Sequence, residues 1–174
     1  MLKKLFFSLF MLLAGCANAP DEIPVVDGFQ LERFLGTWHE IVRTQNSFQK
    51  DLDWVSASYE LTDKGQVRIV NKAYDMRLRR WRIRSGRAVL DGDKHAGALK
   101  VSFFGSFFSE FNIIDLDKEH YSWALVSGRE RSMFWIISRK ATMDPLLKRR
   151  LIQKAESLGF DSSKLVYAGY SSLN

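Results

Sequence analysis

Eight short runs of alternating apolar and polar residues, followed by one amphipathic helix, limit this chain to very few folds. The clearest run is 55–61, in which Val55, Ala57 and Tyr59 alternate with polar residues. That period of two is typical of a strand with one buried face. Counted from Trp38, eight such runs follow one another at short, even spacing. The series predicts an all-β domain, an antiparallel up-and-down meander that closes into a barrel.

The later runs lead into a region that predicts a helix. These runs cover residues 67–70, 81–85, 98–104, 111–116, 121–127 and 133–138. Beyond them, Asp144 can cap a helix N-terminus and Pro145 suits the first helical position. The predicted helix has one apolar stripe, formed by Leu147, Leu151, Ala155 and Leu158. Gly159 is a natural stop, and a last short strand is predicted over 164–168.

The N-terminus has the charged, apolar and small-residue order of a secretory signal. Lys3 and Lys4 precede the apolar stretch 5–13, which is too short for a membrane-spanning helix of about 20 residues. The Leu-Ala-Gly-Cys run that ends in Cys16 resembles the lipobox of bacterial lipoprotein precursors. This resemblance implies that residues 1–15 are a signal peptide and that Cys16 carries the lipid. A plain signal peptide with an incidental cysteine is the alternative.

The remainder of the chain is predicted to divide into a tether and one domain. Residues 16–28 include Pro20 and Pro24, a composition typical of a linker. Residues 29–174 then form a single domain with room for a sizeable core. Cys16 is the only cysteine in the chain, so an intramolecular disulfide is excluded. Packing alone must therefore stabilise the domain.

The basic residues are unevenly distributed, although the net charge of +6 is too small to indicate nucleic-acid binding. Six arginines cluster in one stretch, at Arg77, Arg79, Arg80, Arg82, Arg84 and Arg87. They are interpreted either as the solvated face of a strand or as a contact for acidic lipid headgroups. Such headgroups attract each nearby basic residue by about 1 kcal/mol. Gly86, in the same stretch, predicts a bend or bulge.

Three motifs connect the predicted barrel to a known family. Gly36 and Trp38 form a Gly-X-Trp motif at the start of the first strand, just after a predicted helical turn. Arg139 ends a Trp-Ile-Ile-Ser-Arg run in the last strand. Asp117 and Tyr121 lie between the sixth and seventh strands. In this order and at these separations, the motifs resemble the signature of the lipocalins. The resemblance implies that the Arg139 guanidinium packs across the Trp38 ring at the closed end of the barrel.

A closer resemblance is to the bacterial lipocalins, Blc-type outer-membrane lipoproteins that are related to apolipoprotein D. It is carried by residues 99–105, 111–117 and 124–126. It implies an eight-stranded barrel with one C-terminal helix packed outside, anchored by lipid to the outer membrane of a Gram-negative bacterium. Ala17 favours the same location, since it stands where Asp would favour retention in the inner membrane. His120 departs from the pattern as an insertion before Tyr121, which predicts a longer or bulged hairpin.

An eight-stranded barrel is either filled by its own side chains or holds one small ligand. The chain has 13 Phe, 5 Trp and 5 Tyr, and pocket walls are mostly apolar and aromatic. The side chains predicted to line the wall are Phe103, Phe108, Phe111 and Trp135. Each of them could equally fill a core position. The candidate cations for a ligand carboxylate or phosphate are Arg43, Lys72 and Lys100, and the sequence does not choose among them.

The predicted function is lipid binding rather than catalysis. A membrane-anchored barrel meets acyl chains first, and the resemblance implies fatty acids or lysophospholipids that are stored or transported for envelope maintenance. The three histidines lack the spacing of a metal site, and no nucleophile or phosphate-loop motif is present. We therefore expect no enzymatic activity, metal, cofactor or nucleic-acid partner. A homodimer is compatible with the sequence. The alternative is a structural or interaction lipoprotein with a filled barrel.

Overall fold

The computed structural model describes residues 22–169, which form one antiparallel barrel with a helix on its outside. The strands are β1 (Gly36–Thr44), β2 (Leu52–Leu61), β3 (Val67–Asp75), β4 (Arg80–Leu90), β5 (Ala98–Phe104), β6 (Phe107–Leu116), β7 (Trp123–Ser127), β8 (Phe134–Ser138) and β9 (Leu165–Tyr167). The helices are α1 (Leu31–Phe34), α2 (Pro145–Ser157) and a 3-10 turn at Ser162–Lys164. The predicted eight-stranded barrel with one C-terminal helix is confirmed.

Strand β1 closes the barrel because it pairs with strands on both sides. Trp38 lies opposite Ala57 of β2, and Arg43 lies opposite Trp135 of β8. The register with β8 shifts between Glu40 and Val42, and a shift of this kind bends a strand. The short strand β9 pairs with the last residues of β1, beyond the part that pairs with β2. It therefore lies outside the closed ring of β1 to β8.

One end of the barrel is closed by α1 and by the aromatic side chains beneath it. The rings of Phe34 and Trp38 stack with centroids 4.8 Å apart, and both side chains are fully buried. Trp38 Nε1 donates a hydrogen bond to the Phe34 carbonyl oxygen at 2.7 Å. The Trp38 indole is therefore held in position by the helix that covers it.

Arg139 seals the same end from the other side of the indole. Its Cζ atom lies 3.9 Å from the Trp38 ring centroid, which is the contact that the sequence predicts. Its three nitrogens donate to backbone carbonyls: Nη2 to Arg33 at 2.7 Å, Nη1 to Thr37 at 3.1 Å and Nε to Tyr121 at 3.2 Å. One side chain thus connects α1, β1 and the hairpin before β7.

Two apolar cores lie on opposite sides of the barrel wall. The inner core fills the closed half of the barrel around Phe34, Trp38 and Tyr59. The outer core lies between the wall and α2, where Leu151 and Ala155 pack against Ile41, Val42, Leu125, Phe134 and Ile136. The predicted α2 stripe is therefore buried at Leu151, Ala155 and Leu158 and partly buried at Leu147. Its N-terminus is capped by Asp144, whose carboxylate accepts a hydrogen bond from the Leu147 N–H at 2.9 Å.

Gly86 does not mark a bulge in the β3–β4 pairing, so the bulge part of that expectation is wrong. The β3–β4 pairing runs without a register shift from Val67 to Asp75. The position requires glycine for a different reason. A Cβ atom at residue 86 would lie 2.6 Å from both Phe103 Cδ1 and the Ser102 carbonyl oxygen. The missing side chain makes room for the Phe103 ring.

The hairpin between β6 and β7 is irregular, as the His120 insertion predicts. Residues 117–122 separate the two strands, and the register shifts between Ile113 and Asp115. Tyr121 has a φ of 52°, which is uncommon for a residue other than glycine. The Tyr121 hydroxyl accepts a hydrogen bond from the Gln30 N–H at 3.0 Å. The hairpin therefore supports the segment that leads into α1.

We expect Trp38 and Arg139 to be energetically coupled. Trp38→Ala should lower the free energy of unfolding by about 3–5 kcal/mol, the usual range for truncating a buried tryptophan. Arg139→Ala should cost less, and the double variant should be less destabilised than the sum of the two by about 0.5–2 kcal/mol. Denaturant unfolding measures all three. Arg149→Ala, an exposed position on α2, is the control and should be additive with Trp38→Ala. If the effects of Trp38→Ala and Arg139→Ala on the free energy of unfolding were additive, that result would contradict the stacking.

Candidate functional site

The end of the barrel opposite α1 is open, and a cavity extends inward from it. Four connections surround this end, at residues 45–51, 76–79, 105–106 and 128–133. The cavity has a volume of about 430 Å³, within the range of small-molecule sites. Its floor includes Trp38 and Ile137, which belong to the inner core. The interior is thus packed at the closed end and empty toward the mouth.

The cavity wall is mostly apolar because alternate residues of each strand face inward. Strand β2 contributes Val55, Ala57 and Tyr59, and β3 contributes Ile69 and Ala73. The alanines leave space that larger side chains would fill. The interior is therefore not filled by its own side chains, which disfavours the filled-barrel alternative.

Three of the four predicted wall residues border the cavity. Phe103, Phe111 and Trp135 lie on β5, β6 and β8 and are among its lining side chains. Phe108 is not among them, and its prediction as a wall residue is wrong. Its ring packs under the Arg87 guanidinium, with Cζ 5.1 Å from the ring centroid. Strand β6 contributes Phe107, Ser109, Glu110 and Phe111 to the lining, whereas the Phe108 ring lies on the outer face with Arg87.

A buried polar network forms one side of the cavity near the mouth. The Glu40 carboxylate accepts hydrogen bonds from Arg43 Nη1 and from Gln49 Nε2, both at 2.7 Å. Gln49 Oε1 in turn accepts one from Trp135 Nε1 at 3.1 Å. Burial raises the pKa of Glu40, while the positive charge of Arg43 and the hydrogen bonds oppose that rise. Through these hydrogen bonds, the network joins the 45–51 loop to the cavity wall.

None of the three candidate headgroup cations borders the cavity. Arg43 is buried, and besides Glu40 its guanidinium donates to the Leu52 carbonyl oxygen at 2.9 Å. Lys72 Nζ lies over the Trp81 ring, 4.4 Å from its centroid. Lys100 Nζ pairs with Asp91 at 2.8 Å. Each cation is engaged elsewhere, so these three assignments are corrected.

Two other arginines border the cavity at its mouth. Arg82 and Arg84 lie opposite Ala73 and Asn71 in the β3–β4 pairing, and all four line the cavity. Directly opposite residues of an antiparallel pair share one face of the sheet, so the arginine side chains arise on the inner face. The sequence contained a signal for them, the alternation of arginines with Trp81 and Ile83. That alternation fits a solvated face or a contact for acidic lipid headgroups equally well, and neither interpretation places charges on the inner side of a strand.

The neighbours of the two arginines leave them accessible. Arg82 Nη1 lies 3.3 Å from Asp75 Oδ2, a nearly buried carboxylate, while about half of the Arg82 side chain stays exposed. Arg84 Cζ lies 4.8 Å from the Phe104 ring centroid. Positive charge and aromatic surface therefore meet at the entrance. This arrangement can hold an apolar chain inside and an anionic group at the mouth.

The remaining signature residues lie at the closed end and have structural surroundings. Gly36 has a φ of 93°, and a Cβ atom there would come within 3.3 Å of Arg139 Nη1. The Asp117 carboxylate accepts hydrogen bonds from the backbone N–H groups of Glu119, His120 and Ser122 and from the Ser122 hydroxyl. Partial burial would raise the pKa of Asp117, but these hydrogen bonds outweigh it and the pKa is lowered. These contacts stabilise the hairpin rather than border the cavity.

Residues 22–169 contain neither a cluster of metal-ligating side chains nor a membrane-spanning helix. No group of three or more His, Cys, Asp or Glu side chains in that range could hold a metal ion. None of the helices described is long and apolar enough to cross a membrane. Cys16 lies outside the described residues.

Comparison with known proteins agrees with this geometry. A family model described as a lipocalin-like domain matches residues 29–169. The chain belongs to the lipocalin family. It is 39% identical over 158 residues to the outer membrane lipoprotein Blc of Citrobacter freundii, which covers 90% of this chain and 89% of that relative. It is 34% identical over 157 residues to the protein of the same name from Vibrio cholerae, covering 90% and 92%.

A solved structure shows the same fold at much lower sequence identity. Insecticyanin from the tobacco hornworm Manduca sexta superposes with a TM-score of 0.69 at 18% identity, covering 88% of this chain and 87% of that one. Lipocalins are a family of binding and transport proteins. Together with its bacterial relatives, this lipocalin is a lipid-anchored protein of the Gram-negative outer membrane.

We predict that filling the cavity abolishes the binding of an apolar fluorescent dye. Ala57→Trp places a large ring in the cavity and should weaken dye binding at least about tenfold, since the apolar area available to the dye is lost. The matched control is Ser58→Trp. In the wild-type protein the Ser58 hydroxyl contacts Thr37 on the outer face of the barrel. The control should bind dye as the wild type does. Equal binding by all three proteins, measured by dye titration, would show that the dye does not enter this cavity.

Proposed function

We propose that this lipocalin binds one fatty acid or lysophospholipid in its barrel, and stores or transports it for maintenance of the envelope. The observation that carries the proposal is an apolar cavity open at one end, with two arginines at its mouth. A single-chain amphiphile matches this site, because its apolar tail suits the cavity and its polar head suits the arginines at the mouth. The location of the protein at a membrane supplies such molecules.

The apolar tail provides most of the expected binding energy. Each methylene group removed from water contributes about 0.8 kcal/mol, so eight of them contribute roughly 6 kcal/mol before the costs of ordering the chain. The expected wall contacts are Phe103, Phe111 and Trp135. Affinity should therefore rise with chain length until the cavity is full.

The anionic head is proposed to bind Arg82 and Arg84. A guanidinium can donate two parallel hydrogen bonds to a carboxylate or a phosphate. Both side chains are exposed at the mouth, so the head remains in contact with water while the tail is buried. Arg82 also pairs with Asp75, which leaves Arg84 as the cation without a carboxylate partner among the described residues.

We propose no chemistry for the bound lipid. Of the carboxylates that border the cavity, Glu40 is held in the polar network and Glu110 accepts a hydrogen bond from Asn112 Nδ2 at 3.3 Å. Tyr59 is buried in the inner core, and the two arginines lie at the entrance. Catalysis by a nucleophilic thiol would need a cysteine, and the one cysteine of the chain is the proposed lipidation site. The lipid should leave the protein unchanged.

The unlipidated mature protein, residues 16–174 with Cys16→Ser, should bind long-chain fatty acids or lysophospholipids. Binding should quench tryptophan fluorescence, because Trp135 borders the cavity, and affinity should rise with chain length. Mass spectrometry should recover the lipid intact. Affinity that does not depend on chain length would contradict an acyl site, and a hydrolysed or isomerised lipid would reveal chemistry that this proposal denies.

A charge-neutral variant tests the position of the head within the same experiment. Arg84→Gln should weaken binding of a fatty acid about tenfold and leave binding of the fatty alcohol of equal length unchanged. Arg87→Gln is the matched control, because Arg87 lies on the same strand over the outer Phe108 ring. It should affect neither ligand. If Arg84→Gln weakened binding of the fatty alcohol as well, Arg84 would stabilise the fold and would not bind the headgroup.

The membrane anchor is proposed to be a lipid on Cys16. Cys16→Ala should prevent incorporation of labelled palmitate and release the protein from the outer-membrane fraction, since no other thiol is present. Ala17→Asp is the control for sorting and should keep the label while moving the protein to the inner membrane. A Cys16→Ala protein that still takes up label and sorts normally would refute the assignment.

A further inference from the structure

One polar side chain in the apolar part of the cavity wall has an atom without a hydrogen-bond partner. Asn71 lies on β3 between Ile69 and Ala73, and all three residues line the cavity. Its Oδ1 atom is buried, and no residue within 22–169 donates a hydrogen bond to it. Among the lining residues of that range, Asn71 alone has such an atom. A buried acceptor without a donor is costly and uncommon in folded proteins.

The other amide and carboxylate groups that line the cavity have partners within the fold. Gln49 Nε2 donates to the Glu40 carboxylate at 2.7 Å. The Glu110 carboxylate accepts a hydrogen bond from Asn112 Nδ2 at 3.3 Å. Asparagine is also depleted in strands, where β-branched and aromatic residues are favoured. Neither strand propensity nor a hydrogen bond to Oδ1 therefore accounts for an amide at residue 71.

Small neighbours leave space for a ligand beside the Asn71 amide. Ala57 lies directly opposite Asn71 in the β2–β3 pairing, and Ala73 is the next residue of β3 on the same face. Each of them contributes only a methyl group to the wall, so a ligand atom can approach the amide from either side. Rotation about χ2 exchanges Oδ1 and Nδ2. The amide can therefore present an acceptor or a donor to that atom.

The neighbour on β4 places Asn71 beside the proposed headgroup site. Arg84 lies directly opposite Asn71 in the β3–β4 pairing, and both residues line the cavity. The Cβ atoms of such a pair are about 4.5–5.5 Å apart. The Arg84 guanidinium extends to the Phe104 ring at the entrance, whereas Asn71 Oδ1 is buried in the wall. An anionic head on Arg84 therefore brings the ligand atoms a few bonds behind it next to Asn71.

We propose that Asn71 binds a ligand hydroxyl group that lies a few bonds from the anionic head, and so selects hydroxylated ligands. A hydroxyl both donates and accepts, which matches the two ends of an amide. This chemistry occurs in fatty acids hydroxylated on the third carbon and in the free glycerol hydroxyl of a lysophospholipid. The inference rests on the proposed function, because it requires an acyl ligand whose head lies at Arg84.

A residue retained for a ligand should cost stability in the ligand-free protein. Asn71→Val removes the buried acceptor and introduces a side chain that strands favour. It should raise the melting temperature of the ligand-free protein by about 2–4 °C. A lower melting temperature would show that the fold itself depends on the amide, and would overturn the proposal.

Two pairs of ligands, each differing by one hydroxyl near the head, test the recognition. The first pair is 3-hydroxypalmitate and palmitate, and the second is lysophosphatidate and its 2-deoxy analogue. The protein is the unlipidated mature chain with Cys16→Ser, and calorimetric titration measures each affinity. We define the hydroxyl effect as the ratio of the affinity for the hydroxylated ligand to that for its partner. The wild type should show an effect of about three- to tenfold, the contribution of one net hydrogen bond.

The position of the hydroxyl along the chain is a further control. In 16-hydroxypalmitate the hydroxyl lies at the end of the chain that reaches the cavity floor, which includes Trp38 and Ile137. Burying a hydroxyl there without a partner is unfavourable. This ligand should therefore bind more weakly than palmitate. Tighter binding of 16-hydroxypalmitate than of 3-hydroxypalmitate would overturn the proposed place of the hydroxyl.

Substitution of Asn71 assigns the hydroxyl effect to this side chain. Asn71→Val should reduce the effect to about one, because the ligand hydroxyl loses its partner. Asn71→Ala, which only truncates the side chain, should do the same and excludes added bulk as the cause. Asn112→Val is the matched control, since Asn112 is also half-buried but is not among the lining residues. It should keep the wild-type effect. A hydroxyl effect that persists in both Asn71 variants would overturn the proposal.

The same titrations identify the source of the hydroxyl and separate this inference from the proposed function. An Asn71-dependent effect in the acid pair alone supports recognition of hydroxylated fatty acids, and an effect in the phosphate pair alone supports recognition of the glycerol hydroxyl. Binding of all the ligands with no hydroxyl effect in either pair would overturn this inference and leave the proposed function in place. If the wild type bound none of the ligands, the proposed function would itself be refuted.

Discussion

The contact between Arg139 and Trp38 is the interaction on which the rest of this structure depends. Barrel strands alone would form a tube open at both ends. The Trp38 indole, held under α1 and covered by the Arg139 guanidinium 3.9 Å away, closes one end of this tube. The same guanidinium donates to carbonyls from three different segments. The apolar cavity at the other end exists because this end is sealed.

The division of the molecule into two cores follows from that closure. Inside the closed half, aromatic and aliphatic side chains pack without space for a ligand. Outside, α2 covers the wall formed by β1, β7 and β8 through Leu151 and Ala155. The open half has neither a filled interior nor a helix over its β3–β4 hairpin. Stability and binding capacity are thus assigned to different parts of one barrel.

Much of the fold could be predicted from the sequence because the signals were local. Alternation identified the strands, and Asp144 with Pro145 identified the start of α2. Gly86 was misinterpreted since its requirement is a tertiary one, the space taken by the Phe103 ring. The cavity was harder to predict. Its aromatic wall was predicted for three positions, but Phe108 needed the exact phase of β6 relative to a bulged neighbour.

The entrance cations were missed for a physical reason that is specific to a barrel mouth. A strand that leaves the packed region still alternates, so its inner face becomes solvent-exposed near the rim. Arg82 and Arg84 occupy inner-face positions there, where charge carries little desolvation cost. Sequence alone does not mark the height along the strand at which the interior becomes wet.

The uneven support of the strands has a mechanical consequence. The first six residues of β4, Arg80–Ser85, are exposed, whereas β7 is buried along four of its five residues. Local opening costs least where few apolar contacts break. The barrel thus has a stiff side, which packs against α2, and a more compliant side at the β3–β4 hairpin. Its mouth can therefore widen for a bulkier molecule while its closed end keeps its shape.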